Sequence, residues 1–526
     1  MRIFILFIGF GLFLVSEVPA QFLSEQTIKL DKALRLIDSY YVDSVNQDNL
    51  VEDAIIGVLK DLDPHSVYIS KEEVKEMNEP LVGNFEGIGI QFNLLFDTIF
   101  VISPISGGPS EKLGIRAGDR IIFIDEENVA GVKISNNGVR DRLLGKKGTK
   151  VKVSIKRRGV TELLDFVITR DKIPIFSLDA SYMVNRDIGY MRFNRFSATT
   201  MEEFNKAIED LHREGMESMI LDLRSNGGGL LDAAVKMADE FLGKGKLIVY
   251  MKGTKMPQQD FFASARGGQE TGRLVVLVDE GSASSSEIVT GAIQDWDRGL
   301  VIGRRSFGKG LVQRPFYLPD GSVIRLTIAR YYTPSGRLIQ KSYKEGYDNY
   351  LNDMNNRFSH GELISADSIH FPDSLKFYTK INKRPVYGGG GIMPDIFVPL
   401  DTTVNYSYFN ALVRNGIITN YVLSFVDKNR KRIETEHKQF SFFKSNFKVD
   451  KEMLDKLLEM ADSEGMERNE EAFISAQKQI QLSVKALIAR DIWNMSEYFE
   501  IMNTEDRGAV RGDDPRISKT SVITPS

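Results

Sequence analysis

Apolar residues recur with a helical period from Phe22 to about Pro80. Leu30, Ala33, Leu34 and Ile37 share one face, and Val51, Ile55, Val58 and Leu59 repeat the arrangement. The proline-marked "LDPHSVY" (62–68) closes this stretch with a turn. From Gly83 to about Lys172 the period drops to two. "GIGIQFN" (87–93) and "TIFVISPI" (98–105) alternate like strands, and "GIRAGDRIIFIDEENV" (114–129) is a Gly-Asp turn leading into a buried strand. "GTKVKVSIKRRG" (148–159) reads as another strand with one polar face, and a short helix is expected over Asn137–Leu144.

From Ile175 to about Leu400 the two periods alternate. "GYMRFNRF" (189–196) is a strand, and Thr200 with Glu203 predicts a capping box opening a helix with Phe204, Ile208 and Leu211 on one face. "MESMILDLRSNGGG" (216–229) is a buried strand ending in a glycine turn before a helix over 230–242. "LVVLVDEGSASSSE" (274–287) repeats the device, and 299–303 is a further short strand. Strand–loop–helix repetition of this kind predicts an α/β layer architecture with functional groups at the C-terminal ends of the strands. Residues 401 to about 500 read as helices with long charged faces. The stretch Tyr343–Ile381 is polar and aperiodic, an insertion or an exposed loop. No apolar periodicity remains after Asp506, which predicts a disordered tail.

Composition changes this picture in three ways. A chain of 526 residues exceeds one ordinary core. With 68 basic and 72 acidic side chains and no basic stripe, nothing points to nucleic acid. The absence of cysteine excludes disulfides and thiolate catalysis, and five scattered histidines show no metal-ligand spacing. The first twenty residues pair Arg2 with an apolar run from Ile3 to Val15 and a Val18-Pro19-Ala20 cleavage pattern, a secretory leader. The run is shorter than the ~20 residues a spanning helix needs, so cleavage after Ala20 is expected, with an uncleaved membrane anchor as the alternative. Either way the protein is expected to be periplasmic or extracellular. The domain reading is then a leader (1–20), a helical region (21–82), a β-rich domain (83–172), an α/β domain (173–400), a helical region (401–505) and a tail (506–526).

Three small-residue loops follow three strands: "RSNGGG" (224–229), "EGSASSSE" (280–287) and "GRRSFGKG" (303–310). The last nearly matches a phosphate-binding loop, but Gly310 stands where a Mg²⁺-binding hydroxyl must be, and ATP is scarce outside the cytoplasm. "LVVLVDE" also resembles the acid-tipped strand of a nucleotidase; both features are set aside for these reasons. Together the loops can supply a nucleophile, a base and an oxyanion hole. No histidine belongs to a recognisable triad. A lysine serves as the base only if its pKa falls from about 10.4 to about 7, roughly 4–5 kcal/mol of burial away from other charges. Lys309, between Phe307, Gly308, Gly310, Leu311 and Val312, has apolar neighbours suited to that, and its glycines let the chain pass close to the serine loop.

Residues 109–129 resemble a PDZ domain, a fold that captures a peptide's C-terminal carboxylate in a backbone nest and adds the peptide as a strand. Gly87, Ile88, Gly89 and Ile90 correspond to that nest. "GSASSSEIVTGAIQD" and "GRRSFGKGLVQ", with "LDLRSNGGG" before them and "YYTPSGRLIQ" and "GGGGIMPD" after, resemble the C-terminal processing peptidases, the tail-specific serine proteases. The resemblance runs from about Ala33 to Pro399 and includes "YYVDSV" and "DLDPHSVYIS".

That resemblance implies a ClpP/crotonase-like α/β peptidase core, a PDZ domain before it and flanking helical regions. It implies Ser284 as nucleophile, Lys309 as general base, Gln313 orienting the lysine, and Asp295 as a supporting acid. The oxyanion hole would combine the N–H of Ser285 with one from Gly227–Gly229, Gly228 being favoured. Ser285 stands where the family usually has alanine and is the alternative nucleophile. Substrates would be proteins or peptides with free C-termini, with no cofactor, metal or nucleic acid; a homodimer through the terminal helices is expected, and an activating adaptor is allowed. The rival reading is a catalytically silent PDZ adaptor.

Overall fold

The computed structural model describes residues 24–505, so the expected leader and tail lie outside the described residues. Two compact units divide at Tyr68. The first holds α1 (Glu25–Tyr40), capped by Ser24, and α2 (Gln47–Lys60), capped by Asn46. Its expected proline turn is closed by Asp63, whose Oδ1 accepts the N–H groups of His65 and Ser66 at 2.8 and 2.9 Å. No residue of α1 is buried, and Ile28, Leu30 and Leu36 stay about half exposed. Among the described residues no helix is long and apolar enough to cross a membrane.

The second unit opens with α3 (Lys71–Val82), which the sequence reading assigned to the helical region before it. There follows an antiparallel sheet of β1 (Ile90–Leu94), β2 (Ile99–Pro104), β3 (Arg120–Ile124), β4 (Lys150–Lys156) and β5 (Leu164–Thr169), with α4 (Asn136–Leu143) between β3 and β4. The strands pair in that order, so β1 is an edge. Its core is aliphatic, with Ile99, Val101, Ile121, Val139, Val153 and Ile168 at zero exposure.

The α/β part is built on β6 (Leu178–Met183), β7 (Ile188–Phe193), α5 (Thr200–Arg213), β8 (Ser218–Asp222), α6 (Leu231–Phe241), β9 (Leu247–Lys252), β10 (Gln259–Phe262), β11 (Leu274–Val278), α7 (Ser285–Asp295), β12 (Leu300–Gly303), β13 (Leu311–Tyr317), β14 (Val323–Tyr332) and β15 (Ile396–Phe397). The main sheet runs β6-β7-β8-β11-β12-β15, parallel from β7 onward. Strand alternation sorts its residues. Met219, Leu221, Val276 and Val278 face the core shared with α5, α6 and α7, while Ile220, Val275 and Leu277 face the other way. A second, antiparallel array joins β13 to β14, β14 to β9 and β9 to β10. The predicted capping box at the start of α5 does not form. Thr199 caps the helix, and Glu203 instead accepts the N–H groups of Ser177 and Leu178, both at 2.8 Å, tying α5 to β6.

Beyond residue 401 the regular elements are helices: α8 (Ser407–Arg414), α9 (Ile417–Glu436), α10 (Phe440–Asn446), α11 (Lys451–Ser463), α12 (Glu470–Ile492) and α13 (Met495–Met502). They enclose a core of their own around Val422, Leu457, Ile480 and Val484. The group touches both earlier parts. Leu423 of α9 packs on Leu95 and Phe100, and Asp427 pairs with Arg120 at 3.0 Å. Phe499 of α13 closes the second face of the main sheet, and Ser496 Oγ accepts the Ser181 N–H at 3.1 Å.

Candidate active site

The three loops singled out in the sequence follow β8, β11 and β12, neighbours in the main sheet, and so meet at one edge of it. The serine loop is built by its own polar side chains. Ser282, Ser285 and Ser286 are buried, and their hydroxyls donate to the carbonyls of Leu223, Gly229 and Asn226 at 2.8, 3.0 and 2.8 Å. Ser284 differs from all three. It is half-buried, its hydroxyl donates to no described group, and its backbone sits at φ 55°, ψ −111°, a strained conformation for a residue with a side chain.

One residue to which the sequence reading assigned no role, the glutamate ending "EGSASSSE", joins this loop to the lysine loop. Glu287, fully buried one turn into α7, accepts the Ser284 N–H at 2.8 Å on one oxygen. The same oxygen accepts the Lys309 N–H at 2.9 Å. The other takes the Gly308 N–H at 2.7 Å and the Ser306 hydroxyl at 2.6 Å. Burial pushes the Glu287 carboxyl up, against four donors that favour its ionised form. The signal was present as serine followed three residues later by glutamate, but it reads as an ordinary helix cap.

Those bonds also explain why the loop of Lys309 is not a phosphate cradle, since the amides of Gly308 and Lys309 already have an internal anion. Its glycines serve close approach to other segments than the serine loop: a Cβ at Gly308 would lie 3.0 Å from the Gly391 nitrogen, and one at Gly310 would lie 2.9 Å from the Gln340 nitrogen. Gln340 Oε1 accepts the Gly310 N–H at 2.8 Å, which gives the "RLIQ" and "GGGG" segments their structural meaning. Lys309 Nζ donates to Gln313 Oε1 at 3.1 Å. Tyr331, buried and unnoticed in the sequence, directs its hydroxyl at the carbonyls of both Ser284, at 3.0 Å, and Lys309. Phe307 is not part of the lysine's surroundings; it turns away under Lys341, whose Nζ lies 4.0 Å from its ring centre.

The stretch expected to be an insertion or exposed loop contributes here as well. It folds into short helices at Tyr347–Leu351 and Asp353–Ser359, and Arg357, 2% exposed, donates to the carbonyls of Ser306 at 2.9 Å and Phe307 at 3.1 Å. It is a buttress for the lysine loop.

Ser284, Ser285, Lys309, Gln313, Gly227, Gly228 and Gly229 line one cavity of about 700 Å³. Its other walls include Leu230, Leu231 and Ile288, and Met77, Leu81 and Val82 of α3. Gly228 lies against the serine, since a Cβ there would fall 2.8 Å from Ser284 Cβ. The expectation that it offers an oxyanion donor does not match this conformation, because its N–H donates to Asn226 Oδ1 at 2.9 Å. The next peptide differs: its carbonyl, Gly228 O, accepts the Phe196 N–H at 2.9 Å, and in a trans peptide the Gly229 N–H points the opposite way. Neither Gly229 N–H nor Ser285 N–H has an acceptor among the described residues. Asp295 is not at this site. It lies at the far end of α7, about 16 Å along the helix axis from Ser284. There it is buried against Arg337 at 2.8 Å and accepts the Ser335 N–H at 2.8 Å.

A second groove of about 470 Å³ opens between edge strand β1 and α4. Ile88, Gly89 and Ile90 line it, with Phe92, Leu143 and Leu144. Gly87 does not; it pairs with Asp171 in a short two-stranded ribbon beside the groove. The carbonyls of Ile88 and Gly89 are taken by the Ser110 hydroxyl at 2.6 Å and the Ile105 N–H at 3.0 Å. The N–H groups of Ile88 and Gly89 have no acceptor among the described residues. Glu76, Glu79 and Pro80 of α3 form part of the remaining wall, so the one helix borders both cavities.

Comparison with known proteins gives four matches along the chain. Residues 187–346 match peptidase family S41, residues 87–167 a PDZ domain, residues 16–73 the N-terminal domain of the activating protease CtpB, and residues 408–494 a family of unknown function. The carboxy-terminal-processing protease of Bartonella bacilliformis is 39% identical over 321 residues, 60% of this chain and 73% of that protein. Carboxy-terminal processing protease CtpA of Bacillus subtilis is 38% identical over 314 residues, 60% of this chain and 66% of that protein. Among solved structures, a photosystem II D1 C-terminal processing protease aligns over 72% of this chain and 94% of its own, at 26% identity and TM-score 0.36.

Proposed function

Since the chain belongs to the carboxy-terminal processing proteases of peptidase family S41, we propose that it is an exported serine endopeptidase that cleaves with a Ser284–Lys309 dyad and recruits substrates by their C-terminal tails. The observation that carries this reading is the strained, half-exposed Ser284 sharing one apolar-walled cavity with Lys309, whose amine is held by Gln313. A hydroxyl proton donated to no described group favours Ser284 over Ser285, whose own proton is engaged with Gly229.

Neutral Lys309 takes the Ser284 proton as Oγ attacks the peptide carbonyl. The N–H groups of Ser285 and Gly229 receive the oxyanion. The lysine ammonium then protonates the leaving amine, and water, activated by the same lysine, releases the acyl group. The free tail enters the other groove, adding a strand to β1 with its carboxylate at the amides of Ile88 and Gly89. The half-exposed apolar side chains of α1 support a homodimer through this segment; sedimentation of the full chain should then give twice the monomer mass.

The test compares wild type, Ser284→Ala and Lys309→Ala on an unfolded protein with a free or amidated C-terminus. Cleavage by wild type alone, slower on the amidated chain, is the expected result. Cleavage that survives Lys309→Ala removes the dyad. Tail binding with no cleavage by wild type favours the silent adaptor.

A further inference from the structure

The cavity that holds Ser284 and Lys309 has two cationic side chains in its wall and no carboxylate. Lys309 is bonded to Gln313. The second cation, Arg325, has no such partner. Its Nη1 reaches only the sulfur of Met77 at 3.7 Å, its Nε is buried without a hydrogen bond, and no acid among the described residues pairs with it. Glu287 is engaged behind the two loops by its four donors.

The strand register fixes where this guanidinium lies. Arg325 of β14 is paired with Pro315 of β13, and Thr327 with Gln313. Residues two apart, and residues paired across strands, share a face of the ribbon. Arg325 therefore stands on the face that carries the lysine's partner, one step of about 7 Å further along. Burial pulls its pKa down, the sign of a cation held from water without a counter-charge. A planar fork of donors in such a place matches a planar or tetrahedral oxyanion, and on an unmodified peptide that oxyanion is a carboxylate.

We propose that Arg325 forms an anion subsite of the catalytic cleft, seating a carboxylate of the substrate chain beside the bond to be cut. The subsite rests on the protease reading, because that reading makes the cleft's occupant a peptide. Two sources carry the same chemistry, the side chain of a glutamate or aspartate near the scissile bond and the terminal carboxylate of the chain itself. The subsite is separate from the amides of Ile88 and Gly89, which border the other groove.

The test is binding, so that it does not depend on turnover. The full chain carrying Ser284→Ala is titrated into fluorescent peptides of three kinds. One set is amidated, with a single glutamate walked through each position. The second replaces that glutamate by glutamine. The third is the glutamine peptide with a free C-terminus. At one or more positions the glutamate peptide, or else the free-acid peptide, should bind about tenfold more tightly than the amidated glutamine peptide. Adding Arg325→Gln should bring the glutamate ratio close to one and lower the free-acid ratio to what the Ile88–Gly89 groove alone gives, and adding Arg325→Lys should keep part of the difference. The thermal midpoint of each variant confirms that it is folded, and the lysine variant keeps the test open if the glutamine variant is not. Ratios unchanged by Arg325→Gln, or no position with a preference for the acid, overturn the subsite. The protease reading fails separately, if wild type cleaves none of these peptides.

Discussion

Glu287 accepts four hydrogen bonds where no water competes for them, and three of its donors come from the lysine loop. Glu287→Gln keeps the size but replaces an acceptor oxygen by a donor group, leaving at least one buried N–H unsatisfied, a cost of about 1–3 kcal/mol. The expected outcome is a fall in kcat/KM of about a hundredfold or more, measured beside tail-peptide binding, which should not change. Asp222 makes a different residue-scale prediction. It is fully buried and accepts from Arg192 at 2.8 Å, Arg224 at 2.6 Å and Tyr190 at 2.5 Å. Burial alone would raise its pKa, but the two guanidinium groups and these bonds outweigh that and hold it well below the ordinary 3.8. A depressed folded-state value means that its stabilisation is present above the unfolded value and fades as pH falls through the folded one. Asp222→Asn should therefore destabilise by about 3 kcal/mol at neutral pH. The gap to wild type should narrow once pH drops below 3.8. Denaturant titrations at several pH values read this directly; a gap that widens on acidification contradicts it. At this scale the sequence motifs marked Ser284, Lys309 and Gln313, which the fold brings to one cavity. Sequence could not pick which glycine N–H is left open toward Ser284, because that choice depends on which way each peptide of a three-glycine run is turned.

At the scale of elements, period-two and period-3.6 patterns located the strands and helices that carry the three loops, since those elements bury one apolar face. The pattern was uninformative at 343–381. That segment is anchored by its own buried Arg357 and by the preceding Lys341, whose amine reaches Asp353 at 3.0 Å, and such polar anchors leave no apolar rhythm to read. Arg357→Met removes the bonds to the carbonyls of Ser306 and Phe307 and should lower kcat far more than it raises KM, while Arg357→Lys recovers part of the loss. A third element, α3, lies between the two grooves. Its Glu76 reaches across to Arg140 of α4 at 3.9 Å, and its Met77 and Leu81 line the cavity of Ser284 and Lys309. A tail peptide bound as proposed between β1 and α4 meets the helix that also walls the cavity of Ser284 and Lys309. A tail peptide too short to be cleaved should therefore change the rate at which a separate, amidated peptide is cut. Equal rates with and without the tail peptide would show that α3 transmits nothing.

For the whole molecule, the part least legible in sequence was the role of the helices after 401, because contacts to distant segments leave no local pattern. Arg120 and Phe100 meet them on one side, and Ile220 and Leu277 lie under Phe499 on the other. Asp427→Ala should raise amide exchange in β2 and β3 and leave β8 and β11 protected; equal protection in both would mean that Asp427 holds nothing in place. Glu287 has a consequence at this scale too. If the lysine loop withdraws, its carboxylate keeps one donor of four, and the serine turn loses the anion that held it. The two halves of the proposed dyad then stand or fall together, with no half-armed form between. For the proposed protease this coupling favours silence over partial activity, because a serine turn that has lost its anion cannot act with a displaced lysine.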